Sequence, residues 1–342
     1  MCIRDRINRA TQITHHIKFR DEYYSAYLGY NPDVHVDSLQ ILYTSFKTPV
    51  TTYHYHMGNK GMKKIKQEPF PIHMGKIRVK RLSATSLDGQ EIPITLVYDK
   101  WAIKYQEDNN KKIYLTAYGA YGFGQNPYYS STIKHLTSSG FTVAIAHVRG
   151  GNDMGMQWYE SGKLLQKKNT FNDFIACAEY LTQEGYTKKG NITAEGTSAG
   201  GLLMGAVANM RPDLFKTIIL NVPFVDVINT MLDEKLPLTI DEYEEWGNPK
   251  KRKYYDYIKS YSPYDNVKAQ AYPNLLFFTG INDTNVGYWE PAKMVAKLRK
   301  LKTDNNVLLF HTNFSAGHGG ASGRFAALNE RAYRLALIID MY

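Results

Sequence analysis

The sequence predicts an α/β protein: a mostly parallel sheet covered by helices on both faces, preceded by a short all-β segment. Three observations predict it. Beyond residue 110, short continuous apolar runs alternate with longer helical patterns, as in sheets whose strands are buried on both faces. Before residue 76 the chain is instead rich in Tyr, His and Thr, with short runs of strand-like alternation. Between one apolar run and one apolar helix stands Gly196-Thr197-Ser198-Ala199-Gly200, a sharp turn carrying a serine.

Taken in order, Leu39 to Ser45 and Val50 to His56 read as antiparallel strands, with Asn59 and Gly61 in a following turn. Lys76 to Lys100 reads as a long hairpin turning at Asp88-Gly89. The strands of the main sheet are expected at Ile113 to Tyr118, Phe141 to Val148, Asn191 to Glu195, Thr217 to Val222, Asn274 to Thr279 and Val307 to Thr312. Helices are expected at Phe171 to Glu184, Ala199 to Met210 and Glu290 to Leu301. At the C-terminus Phe325, Leu328, Ala332, Leu335 and Ile339 recur at three- and four-residue spacing, one apolar stripe of a helix. The expected division is residues 1–75 for the all-β segment and 76–342 for the α/β domain.

Composition narrows the class. The chain has 342 residues, 43% hydrophobic and 22% charged, the balance of a globular protein. No run approaches the ~18 apolar residues of a membrane span. Met1 to Arg20 is polar and basic with no apolar centre, unlike a secretory signal. Cys2 and Cys177 are the only cysteines, which excludes a disulfide framework and fits a reducing cytoplasm. The net charge of +10 is spread over short runs, among them Lys63, Lys64 and Lys66, then Lys163, Lys167 and Lys168, then Lys250 to Lys253. No nucleic-acid motif accompanies them, so they read as solvated surface. His54 and His56 share a strand face, but no further ligand completes a metal site beside them.

The serine turn has the chemistry of a nucleophile. A strand-to-helix turn holds Ser198 in a strained conformation, and glycines at its flanks remove the Cβ atoms that would clash. The Ala199 N–H, at the helix start, can receive an oxyanion. A serine needs a base, and the base an orienting acid. Asp283 follows one strand in Gly280-Ile281-Asn282-Asp283, and His318 follows the next in Ser315-Ala316-Gly317-His318-Gly319-Gly320. The order Ser, Asp, His is that of α/β-hydrolases. A second oxyanion donor is expected in Tyr118-Gly119-Ala120-Tyr121-Gly122, where one of the two tyrosines supplies a hydroxyl and the other packs. Arg149-Gly150-Gly151 lacks the rest of a phosphate loop and reads as a tight turn beside the site.

Longer runs then carry a resemblance. They include His147-Val148-Arg149-Gly150-Gly151, Lys168-Asn169-Thr170-Phe171-Asn172-Asp173, Ser198-Ala199-Gly200-Gly201-Leu202-Leu203-Met204-Gly205, Glu244-Glu245-Trp246-Gly247-Asn248-Pro249 and Gly317-His318-Gly319-Gly320. From Asp21 onward the chain resembles the prolyl oligopeptidase family of serine peptidases, its oligopeptidase B branch in particular. The resemblance implies an α/β-hydrolase domain capped by a seven-bladed β-propeller. The triad Ser198, Asp283 and His318, an oxyanion tyrosine at Tyr118, and no metal or organic cofactor are implied with it. It further implies cleavage of short peptides after Arg or Lys, selected by two carboxylates that match Glu242 and Glu244. That agrees with an acidic cluster, Asp241-Glu242-Tyr243-Glu244-Glu245, in an otherwise basic chain. The chain departs from the family at Asn126 and Tyr128, where some members carry aspartates for a second basic residue. It also departs in length, since residues 1–75 suffice for the last blade or so of a propeller. Without the cap, the expectation is weakened activity and an unpaired strand edge. Other readings of the same triad are a general esterase or acyl-aminoacyl peptidase; a binding protein on a hydrolase scaffold is the non-enzymatic one.

Overall fold

The alternating sequence folds as expected into one large sheet and a smaller antiparallel one. The computed structural model describes residues 5–8, 11–70, 77–104 and 111–342. Cys2 and the expected boundary at Lys76 lie outside the described residues.

The first segment holds β1 (Asp5–Ile7) and β2 (Thr14–His16), paired with each other. Next come β3 (Tyr24–Leu28), β4 (Ser38–Ser45), β5 (Thr51–His56) and β6 (Met62–Gln67), an antiparallel sheet in that order. Ile17, Ala26, Ile41 and Tyr55 form its small core. Asp21 ties the segment together by accepting hydrogen bonds from the hydroxyls of Tyr43, Ser45 and Thr48.

The α/β domain opens with the hairpin β7 (Ile77–Thr85) and β8 (Glu91–Asp99), whose turn has Gly89 at a φ of 82°. Strands β9 (Lys112–Thr116), β10 (Phe141–Ala146), β11 (Ile192–Thr197), β12 (Phe215–Asn221), β13 (Asn274–Gly280) and β14 (Leu308–Asn313) follow. The eight strands lie in the order β14-β13-β12-β11-β9-β10-β8-β7, parallel from β14 to β10 and antiparallel beyond. Side chains alternate between two cores, as the two-residue period of a strand requires. Leu115, Ala144, Ala194, Ile218 and Phe277 face one core, whereas Tyr114, Val143, Ile145, Ile219 and Leu276 face the other.

Helices cover both faces. They are α1 (Lys100–Lys104), α2 (Ser131–Ser138), α3 (Met156–Glu160), α4 (Lys168–Gln183), α5 (Ala199–Met210), α6 (Val227–Leu232), α7 (Tyr243–Trp246), α8 (Arg252–Lys259), α9 (Trp289–Leu301) and α10 (Arg324–Asp340). None of them is long and apolar enough to cross a membrane. The expected strands and helices all form, with ends shifted by no more than three residues.

One feature goes beyond what the sequence indicates, and one expectation needs correction. Helix α10 forms, but its apolar stripe is largely in solvent: Phe325 is 78% exposed, and Leu328, Ala332 and Ile339 are exposed as well. The inward face holds Leu335 and Ile338 together with Arg331 and Arg334, which bond to Ser131 and Glu195. Periodicity locates a stripe but does not say what covers it. The expectation that fails is Lys167, which is not solvated surface; it is 1% exposed.

One buried ion cluster joins hairpin, sheet and helix. Arg149 donates to Asp173 on α4 (2.6 and 2.9 Å) and to Asp88 in the hairpin turn (2.5 and 3.1 Å). Asp173 also accepts from Ser86 and the Arg149 N–H. Removing one partner of a buried pair strands the other. Asp173→Ala should therefore destabilise the chain by about 3–5 kcal/mol in urea denaturation. Asp88→Ala, at the exposed end, should cost no more than about 1 kcal/mol.

Candidate active site

The parallel strands all end at one edge of the sheet, and the loops leaving them meet there, as in other open α/β sheets. Ser198 sits between β11 and α5 with φ 58° and ψ −116°, a conformation that L-residues rarely adopt. Backbone bonds hold it: its N–H donates to Asn221 O (2.9 Å), and its carbonyl accepts from Leu202 and Phe224. The flanking glycines allow the close approach. A Cβ on Gly196 would overlap the Gly200 carbonyl, and one on Gly200 would lie 3.0 Å from Ala117 O.

Asp283 and His318 leave neighbouring strands β13 and β14. Their loops touch through the backbone, with Asn282 N donating to Ala316 O at 3.0 Å. His318 Nδ1 lies 2.8 Å from Asp283 Oδ2 and 3.0 Å from Oδ1. Asp283 Oδ1 also accepts from the Asn285 and Val286 N–H groups, both at 2.9 Å. The carboxylate is buried and fixed, so it can hold the imidazole in one orientation.

Ser198, Ala199, Tyr118, Glu242, Asp283 and His318 all line one cavity of about 760 Å³. The structure separates the two tyrosines. Tyr118 lines the cavity with Ser198, and burial, with Glu242 second, raises the pKa of its phenol. It therefore keeps its proton and can donate. Tyr121 is the packing member: its hydroxyl donates to Glu242 Oε2 (2.6 Å) and its ring meets Trp246 edge-on. The turn at Arg149-Gly150-Gly151 lies beside this loop, with Gly122 N donating to Gly150 O at 2.9 Å.

The two glutamates part company. Glu242 faces the cavity among Tyr118, Tyr121, Phe224 and Trp246. Its Oε2 accepts from both Tyr121 and Trp246 Nε1, while no bond to Oε1 is seen among the described residues. Burial raises its pKa above the usual glutamate range, against the two hydrogen bonds. Glu244 is exposed and does not line the cavity. Asn126 and Tyr128 are outside it too; Tyr128 stacks on Tyr27 of β3, and the two hydroxyls are bonded. Sequence reasoning missed Glu245, which is 3% exposed and accepts from Tyr121 N (3.1 Å) and Tyr159 OH (2.8 Å). Among the described residues no group of three or more His, Cys, Asp or Glu side chains could hold a metal ion.

The glycine argument has a direct check. Gly196→Ala should destabilise the fold by about 1–3 kcal/mol, since its two nearest atoms are the backbone O and C of Gly200, which cannot swing aside. Gly319→Ala, where nothing lies within 4 Å, should change stability by less than about 0.5 kcal/mol. Thermal melting of both variants checks the contrast.

The chain is similar to known proteins. The sequence pattern of the prolyl oligopeptidase family matches residues 127–340. Dipeptidyl aminopeptidase BI of Pseudoxanthomonas mexicana is 46% identical over 98% of the chain, which covers 46% of that protein. Protease 2 of Moraxella lacunata is 46% identical over 88% of the chain and 43% of its own length. Among solved structures, oligopeptidase B from Trypanosoma brucei, closed and with covalently bound antipain, superposes with a TM-score of 0.90 at 40% identity. The match covers 98% of this chain and 48% of that one. Oligopeptidase B from Leishmania major gives a TM-score of 0.89 at 39% identity over 97% and 46%. The chain thus spans about half the length of the relatives it matches, and the α/β-hydrolase fold with a propeller-like segment before it is theirs. The chain belongs to the prolyl oligopeptidase family of serine peptidases.

Proposed function

We propose that this chain carries the catalytic machinery of a serine peptidase that cuts short peptides after Arg or Lys. The observation that carries the reading is the placement of one half-free carboxylate, Glu242, in the same cavity as Ser198, His318 and Asp283. Similarity to oligopeptidase B supports it. In the proposed mechanism, Ser198 Oγ attacks the peptide carbonyl as His318 Nε2 takes its proton. Asp283 holds the Nδ1–H and stabilises the imidazolium. The oxyanion accepts hydrogen bonds from the Ala199 N–H and the Tyr118 hydroxyl. His318 then protonates the leaving amine, and water repeats the cycle on the acyl-enzyme.

For the substrate side chain, Glu242 Oε1 receives the guanidinium or ammonium, and the surrounding aromatic rings pack against the cation. Glu244, on the solvent side of α7, is assigned no direct contact. A division near residue 76, between the blade-like segment and the peptidase domain, belongs to the same proposal. So does a cytoplasmic site of action, which the free, buried thiol of Cys177 suits.

A second reading follows from the relative called dipeptidyl aminopeptidase BI. In it Glu242 would receive the amino terminus of the peptide. Blocked and free dipeptidyl-arginine anilides separate the two. Cleavage of the acyl-blocked form supports the endopeptidase reading, and a strict need for a free amine supports the other.

The specificity assignment predicts a split between the glutamates. Glu242→Gln should lower kcat/KM for an Arg anilide by roughly tenfold to a hundredfold, the worth of a charge-assisted bond of ~1.5–3 kcal/mol. Glu244→Gln should leave it within about threefold. The Arg preference should also fade on acidification. The raised pKa of Glu242 means that its charge is lost at a higher pH than for an ordinary glutamate. A pH series of Arg against neutral substrates reads this directly.

A further inference from the structure

Lys167 is the one member of the basic runs that the fold swallows whole. It precedes α4, is 1% exposed, and has a Nζ with a partner in every direction. The amine donates to the carbonyls of Gly119 and Gly162, the latter at 3.2 Å, and stands 5.1 Å from the centre of the Trp246 ring. Three N–H groups are thus spent on two carbonyls and an aromatic face. Burial lowers its pKa to about 8, and the charge of Glu245 works against that fall. Near neutral pH it is a buried cation, which costs free energy that packing alone does not explain.

Its partners say what it holds. Gly119 follows Tyr118 directly. Glu245 takes the other end of the same turn, through the Tyr121 N–H, and adds the Tyr159 hydroxyl. The next turn of α4 reinforces the grip, because Thr170 Oγ1 donates to Arg149 O and Gly162 O. The arc from Tyr118 to Tyr121 is therefore pinned at both ends by buried charges of opposite sign. Trp246, under the Lys167 amine, also donates to Glu242.

We propose that Lys167 is a positioning residue for the oxyanion arm: by fixing the Gly119 carbonyl it sets the Tyr118 hydroxyl against Ser198, with Glu245 as the counter-anchor. The inference rests on the assignment of Tyr118 as an oxyanion donor. It goes beyond that assignment by naming a side chain that touches neither substrate nor reacting atoms.

A double-mutant cycle tests it. Lys167→Met, Tyr118→Phe and the combination are assayed on an Arg anilide beside the unmodified chain and Ser198→Ala. Lys167→Met should lower kcat by about tenfold or more with KM changed less than about twofold, the pattern of an interaction made in the transition state. In the Tyr118→Phe background it should cost less than about twofold, because the group it positions is already gone. Equal losses in both backgrounds, or a loss carried by KM, would overturn the inference. Should Lys167→Met fail to fold with Glu245 left unbalanced, Lys167→Met with Glu245→Gln removes both charges, and the same cycle is read on that pair. An unmodified chain with no more turnover than Ser198→Ala removes the proposed function and this inference together. Turnover with additive losses removes the inference alone.

Discussion

The arrangement depends on one tight backbone passage, the turn at which β11 becomes α5, with no room for a Cβ at Gly196 and little at Gly200. A residue at φ 58° and ψ −116° costs of order 1–3 kcal/mol, and it persists only where its surroundings over-determine it. Here the bonds from Ser198 N to Asn221 O, and from Leu202 and Phe224 to the Ser198 carbonyl, do so. That strain puts a hydroxyl at the carboxyl edge of the sheet, next to the first N–H groups of a helix. Because β9, β11, β13 and β14 run parallel, their following loops meet at the same edge. That shared edge is what brings Ser198, Asp283, His318 and the loop of Tyr118 into one neighbourhood.

Charge is handled in layers around that edge. Arg149 with Asp173 and Asp88 locks hairpin to helix away from the cavity. Lys167 and Glu245 lie buried under the turn carrying Tyr118, each satisfied by backbone or phenol groups. Glu242 differs from them in keeping one oxygen without a hydrogen bond among the described residues. A carboxylate hydrogen-bonded on one oxygen and desolvated at the other is stabilised by a guanidinium, which is the physical basis of the proposed selection of basic side chains. Tyr121 connects the layers, with its N–H on Glu245 and its hydroxyl on Glu242.

Much of this was legible in the sequence, for reasons that can be stated. Continuous apolar runs followed by Gly-rich loops marked the strands and the ends where chemistry sits, so Ser198, Asp283 and His318 could be named before any geometry. The choice between Tyr118 and Tyr121 could not, because which ring turns toward Ser198 depends on α7, far along the chain. The glutamates posed the same problem. In a one-turn helix, residues two apart point in different directions, so an acidic cluster says only that some carboxylate faces inward. Lys167 was misread because a lysine in a basic run looks the same whether water or three acceptors surround its amine. The stripe on α10 marked the helix but not its surroundings, since the inward side includes Arg331 and Arg334 beside Leu335, Leu337 and Ile338.

The central claim is that Ser198 performs acyl transfer next to a carboxylate that recognises a basic side chain. The most direct measurement is the rate at which two phosphonate esters modify Ser198, one bearing an arginine-like guanidinium and the other a neutral chain of equal length. Mass spectrometry of the modified peptide locates the adduct. The account predicts modification at Ser198 by both, with the guanidinium ester faster by at least about tenfold, one charge-assisted bond. Equal rates, or an adduct on another residue, would contradict it.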